Sequence, residues 1–224
     1  MIQSTRFIRA FSLLIFTGLI GFVSQAQTIV YNNGALIYAA KGSIVQINGG
    51  IRNNGATGLI NNNGTMTVAS NGLPGTFYLK DTSITMGSGT YMIEQNWVND
   101  ATFIADSSTV NFFGDLRDTI TSVVLPYTST TFNNLVLTGT GVGNDRKKSL
   151  VNVNATTDVL GILTLNDREL DTDTNTMYVL NPIVSAVTNN LTYLDEGYVS
   201  SLKLGSLTRA TDADSVYVFP TGSG

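Results

Sequence analysis

The sequence predicts an all-β chain wound as a right-handed parallel β-helix, and three observations carry that expectation. After Gln27 there is no convincing stretch of 3.6-residue periodicity; the apolar residues fall in pieces of three to six with two-residue alternation. The pieces are separated by Asn-Gly punctuation, which tolerates positive φ and turns a chain sharply at little steric cost. Similar phrases also recur in register: Tyr31-Asn32-Asn33-Gly34 and Arg52-Asn53-Asn54-Gly55 lie 21 residues apart, and Asn62-Asn63-Gly64 follows. Repetition at a fixed period of about 20 residues is the mark of stacked units.

In chain order the pieces are Thr28 to Tyr31, Leu36 to Tyr38, Ile44 to Ile47, Leu59-Ile60, Met66 to Val68, Phe77 to Leu79, Ile84 to Met86 and Tyr91 to Ile93. Each reads as a strand. The corners between them are Asn32-Asn33-Gly34, Asn48-Gly49-Gly50, Asn53-Asn54-Gly55, Asn61 to Gly64 and Asn71-Gly72. Asn-Gly between alternating strands is also a hairpin signal, so an antiparallel β-sandwich is the alternative fold. Coils of about 20 residues would stack the chain into on the order of nine rungs. In such a stack Val110, Phe112, Leu135, Leu137, Leu163 and Leu165 point into one core, while corner Asn and Thr face solvent.

Composition agrees with stacking. Only 12% of the 224 residues are charged, against a hydrophobic fraction of 42%, whereas an ordinary domain carries about 25% charged residues. Equivalent positions in neighbouring rungs sit about 4.8 Å apart, where like charges repel but Asn amides and Thr hydroxyls bond up the column. The chain has no His and no Cys. That excludes Ser-His-Asp and Cys-His nucleophile systems, imidazole or thiolate metal sites and a disulfide framework.

Residues 1–26 read as a cleaved secretory signal peptide and 27–224 as the solenoid. Arg6 and Arg9 form a positive n-region, Ala10 to Val23 an apolar run too short to span a bilayer, and Ser24-Gln25-Ala26 a small-residue cleavage site. Cleavage before Gln27 removes both arginines from a chain whose net charge is already −4. The mature chain therefore has no electrostatic footprint for nucleic acid and no integral membrane segment. Its expected location is extracellular or at the cell surface.

The run Asn96-Trp97-Val98-Asn99-Asp100-Ala101-Thr102-Phe103, then Ser108 to Gly114, Asp118-Thr119-Ile120 and Thr131 to Leu137, resembles a phrase common in Bacteroidetes secreted and cell-surface β-helix repeat proteins. Val159 to Leu165 and Leu170 to Val179 continue it, and Val216 to Gly222 is similar to a phrase that precedes a further module in such proteins. The resemblance implies adhesin-like proteins, often type IX secretion cargo, used in adhesion, gliding or matrix contact. It implies export machinery as a partner, with glycans or surface proteins as the contacts made. Its motifs are packing phrases and specify no chemistry. Such proteins usually carry a C-terminal sorting domain, so the polypeptide is expected to continue past Gly224.

Candidate sites are few. Asp171-Thr172-Asp173-Thr174-Asn175 copies the first half of a calcium loop, but Thr176 stands where Gly is needed and Pro182 where a bidentate Glu is needed, so an exposed turn ladder is the better reading. Asp212 and Asp214 lie close in sequence, which does not by itself set two carboxylates across a cleft. Asp145, Lys147 and Lys148 are the one cluster of the kind used by polysaccharide lyases on β-helices, which keeps a carbohydrate-active β-helix as the alternative function. Trp97 and Phe113 are candidate sugar-stacking aromatics; Phe112 and Phe113 are adjacent, so one must point outward. The expectation is a structural or adhesive segment without catalysis, with no cofactor and no metal, and with Trp97, Phe113, Asp145, Lys147 and Lys148 as a possible contact surface.

Overall fold

Alternation of apolar and polar residues makes each short segment half-buried, and a half-buried strand needs a neighbour on each edge. In the computed structural model, which describes residues 29–70, 75–123, 129–153, 155–191, 196–212 and 214–223, that neighbour is the equivalent strand of the next coil. Every strand pair among the described residues is parallel. The fold is a parallel β-solenoid, and the hairpin pairing a sandwich requires does not occur among the described residues. The signal-peptide expectation for residues 1–26 lies outside the described residues, among which no helix is long and apolar enough to cross a membrane.

Three ladders form the walls. The first follows a path of eight strands: Ile29–Asn33, Gly50–Asn54, Phe77–Met86, Trp97–Phe103, Asp118–Val123, Lys147–Val153, Glu169–Asp171 and Tyr198–Ser200. A second wall of seven strands runs from Ile44–Asn48 to Val187–Thr188. The third side changes character along the stack. Near the N-terminus Leu36–Ala39 and Leu59–Asn62 attach to the far half of the ten-residue strand Phe77–Met86. Further on it is a separate ladder of four strands, Thr130–Phe132, Thr157–Val159, Thr176–Val179 and Ser206–Arg209.

The core is a set of columns. On the seven-stranded wall Met66, Tyr91, Val110, Leu135, Leu163 and Val187 occupy successive positions in register, and all are buried. On the eight-stranded wall the column is Ile51, Phe77, Trp97, Ile120 and Leu150. The six residues expected to face the core are all fully buried and belong to one cluster. Phe77 and Trp97 stack with centroids 5.0 Å apart, and Tyr91, Phe103 and Phe132 pack edge-on or tilted around the indole.

Two expectations are corrected. Coils are not uniform: bonded equivalents are 21 residues apart at Asn32 and Asn53, 20 at Lys80 and Asp100, and 30 at Asp118 and Lys148. Longer coils leave eight strands along the main path where about nine rungs were expected. The corner asparagines also do not all face solvent. Asn32, Asn53 and Asn62 are buried, because a corner leaves backbone groups without ladder partners and an inward amide can satisfy both kinds. Asn32 accepts from Ala35 N–H and donates to Ala35 C=O, each at 2.9 Å, and also donates to Asn53 Oδ1 at 2.8 Å. Asn62 donates to Thr90 C=O at 2.9 Å and accepts from Gly64 N–H. A charge at Asn62 is therefore costly, whereas half-buried Asn63 retains access to water.

Glycine is required at two stacked corners. Gly34 and Gly55 have φ of +99° and +77°, and a Cβ would come within 2.8 Å of Thr57 Oγ1 and 2.7 Å of Asn33 Oδ1, respectively. Both the left-handed backbone and the close approach of the neighbouring coil exclude a side chain.

Candidate functional site

Five buried ionisable side chains, Asp118, Lys147, Lys148, Glu169 and Asp171, gather where Asp118–Val123, Lys147–Val153, Glu169–Asp171 and Tyr198–Ser200 lie side by side. Parallel register puts Lys147 beside Glu169 and Glu169 beside Tyr198; one residue on, it aligns Lys148, Leu170 and Val199; next come Ser149, Asp171 and Ser200. The sequence expectation put Lys147 and Lys148 on a possible contact surface. The fold instead makes both the start of a central strand.

Geometry fixes what each group does. Lys147 Nζ lies 2.9 Å from Glu169 Oε1, and the Glu169 carboxylate also accepts from Ser200 Oγ and from the Tyr198 hydroxyl. Asp171 accepts from Ser149 Oγ at 3.4 Å and stands 3.8 Å from Arg117. Lys148, fully buried, donates to Asp118, to Gly114 C=O at 2.9 Å and to Leu116 C=O at 2.7 Å. Lys147, Glu169, Asp171, Ser149 and Ser200 are all buried. Ser200 beside Glu169 has the composition of a nucleophile and base, but both are shielded and the carboxylate is already committed to Lys147.

Next to this cluster an open groove of about 400 Å³ is lined by Gly139 to Gly143, Arg146, Asp167 and Arg168. Arg168, itself buried, grips Asp167 through Nε and Nη2 and donates from Nη1 to Gly141 C=O at 2.6 Å. Arg146 donates to the carbonyls of Asp167 and Glu196 and lies 5.7 Å over the Tyr198 ring. These arginines pin the loop and the neighbouring coils together.

The guanidinium hydrogen bonds from Arg168, with the nearby Arg146 charge, hold the Asp167 carboxyl below its usual 3.8. A carboxylate with a depressed folded pKa adds stability that is present above the unfolded pKa and is lost as pH falls through the folded value. Asp167→Asn should therefore lower the urea midpoint relative to wild type at neutral pH, with the gap closing as pH drops below 3.8. Denaturation series of both proteins from pH 7 to pH 2.5 check this; a pH-independent gap would mean that the ion pair contributes nothing.

Of the five residues expected to form a contact surface, three are corrected. Trp97 is fully buried in the aromatic cluster, Lys148 is fully buried against Asp118, and Lys147 is buried against Glu169. The physical reason is strand alternation within a closed coil, which aims Trp97 and Lys148 inward. Asp145 is exposed on a short 3₁₀ turn, Gly143–Arg146, and Phe113 is half-buried while Phe112 is in the core. These two remain at the surface.

The half calcium loop is also corrected in one respect, since Asp171 is buried rather than exposed. Asp171 Oδ1 accepts from Asp173 N–H at 3.0 Å, Asp173 pairs with Lys203 at 3.1 Å, and Asn175 donates its amide to Leu150 and Thr172 carbonyls. The oxygens serve a turn and its neighbours. Asp212 is exposed and accepts from the Tyr217 hydroxyl at 3.3 Å; Asp214 is exposed as well.

Sequence reasoning missed Asp118, Glu169, Arg146 and Arg168. Asp118 and Lys148 are 30 residues apart, so a search at the fixed period near 20 could not pair them. A signal was present in the unequal spacing of the apolar pieces.

Comparison with protein-family models, with curated proteins and with solved structures finds no match to this chain. The class is therefore defined by the fold itself: a parallel β-solenoid whose interior columns run from coil to coil.

Proposed function

We propose that the chain is a segment of a secreted or cell-surface stalk, structural or adhesive in role, without catalysis of its own. The observation that carries this reading is the fate of the buried charges. Lys147, Lys148, Glu169 and Asp171 bond residues of adjacent coils, so the groups best suited to chemistry serve cohesion between coils. Unbroken apolar columns make coil number a measure of length, which suits a spacer. The similarity of the Trp97 and Thr131 to Leu137 phrases to Bacteroidetes surface proteins adds export by type IX secretion and contact with glycans or surface proteins as parts of the same proposal.

A second reading is carbohydrate recognition, and the groove between Gly139 and Arg168 favours it. One experiment separates the two. The purified chain is incubated with a panel of neutral and acidic polysaccharides while reducing ends and unsaturated uronate absorbance are followed, and its shape is imaged by negative-stain electron microscopy. The stalk reading expects elongated particles and no bond cleavage. Release of unsaturated uronides or reducing sugars would overturn it, as would a compact particle.

A further inference from the structure

We propose that Lys148 and Asp118 join spontaneously through an isopeptide bond, covalently linking two adjacent coils of the solenoid. The two residues are Cα partners on neighbouring parallel strands. The Lys148 ammonium nitrogen contacts Asp118 Oδ2, and the carbonyls of Gly114 and Leu116 anchor it at 2.9 and 2.7 Å. Side-chain exposure is 0% for Lys148 and 3% for Asp118. Nucleophile and carbonyl carbon are thus held together in a site from which water is excluded, an arrangement in which intramolecular reactions reach effective concentrations of about 10⁵–10⁸ M.

The protonation states suit condensation. Burial pushes the Asp118 carboxyl up, and the Glu94 carboxylate pushes the same way, while the bond from Lys148 opposes both. Burial draws the Lys148 ammonium down with help from Arg168, against the pull of Asp118 and Asp115. A proton moved from Lys148 to Asp118 leaves a neutral amine facing a carboxylic acid. The Nζ lone pair then adds to Asp118 Cγ, the C–OH bond breaks, one amine proton leaves with the hydroxyl as water, and an amide remains. Nothing is oxidised or reduced. The step also relieves the structure, because a buried ion pair carries a desolvation cost that a neutral amide bonded to the same carbonyls does not.

Peptide mapping of the folded full chain tests the proposal and does not depend on the stalk reading. After denaturation and tryptic digestion, the expected product is a branched peptide joining the segments that hold Asp118 and Lys148, lighter than their sum by one water, about 18 Da, with Lys148 protected from cleavage. Asp118→Asn should form the same bond with ammonia as leaving group, a loss of about 17 Da, while Lys148→Arg should show none. Recovery of linear peptides at full mass, with cleavage after Lys148, from a wild-type chain that circular dichroism shows to be β-folded would overturn the proposal and leave an ion pair. The wild-type measurement decides the matter even where Lys148→Arg does not fold.

Discussion

Leu163→Asp should destabilise the solenoid more than any other single core change considered, by about 5 kcal/mol or more, from lost apolar burial together with an unpaired buried charge. Leu163 is fully buried and lies in register between Leu135 and Val187. An aspartate there meets apolar neighbours on both sides along the column. Because each coil contacts only the coils beside it, the damage should spread to Asn134–Leu137 and Val187–Thr188 before the rest of the stack. The isolated loss of side chain in Leu163→Ala should cost less, about 2–5 kcal/mol. Urea denaturation combined with limited proteolysis checks both parts. A Leu163→Asp chain with an unchanged midpoint, or with cleavage first appearing in the N-terminal coils, would contradict the column argument.

Asn53→Asp should be nearly as damaging although it exchanges one nitrogen for oxygen at constant shape. Asn53 is fully buried. Its amide donates to Ile84 C=O at 2.8 Å, Gly58 C=O at 3.3 Å and Thr85 Oγ1 at 3.1 Å, while its Oδ1 accepts from Asn32. A carboxylate would turn an acceptor toward the Ile84 and Gly58 carbonyl oxygens, which are themselves acceptors, and the expected loss is about 3–5 kcal/mol at pH 7. The variant's carboxyl would titrate upward, so its folded form binds a proton more readily than its unfolded form. Stability should accordingly recover as pH falls from 7 toward 4, the opposite of the Asp167 effect. A deficit that does not shrink on acidification would show that the amide is not acting as a donor in that corner.

Much of the architecture was legible in the residues. Alternation in Met66 to Val68, Tyr91 to Ile93 and Val110 to Phe112 determined which side chains face inward, because strand geometry sends successive Cβ atoms to opposite faces. The recurrence of Asn-Asn-Gly at Asn32 and Asn53 favoured parallel stacking over hairpins, and the parallel register of Asn32 with Asn53 in the fold decided it. The shortage of charge followed from the same geometry. The candidate site was less legible. Lys147 and Lys148 read as part of a contact surface because charged residues usually face solvent, and local sequence carries no information about which later strand will cover them.

Tertiary structure decided the rest. Partners in register lie from 18 residues apart, at Ile84 and Thr102, to 30, at Asp118 and Lys148, so which residue lies above which depends on how much chain each corner consumes, and only closure of the coils sets that. Closure brought Asp118 to Lys148 and Lys147 to Glu169, and it turned Asn53 and Asn62 inward, where unpaired corner backbone needed an amide. The sequence by itself determined the stacking of short strands, the inward face and the polar character of the corners, all properties of local pattern. Pairings across a coil belong to the fold, because their partners are distant in the chain and meet only when the stack forms.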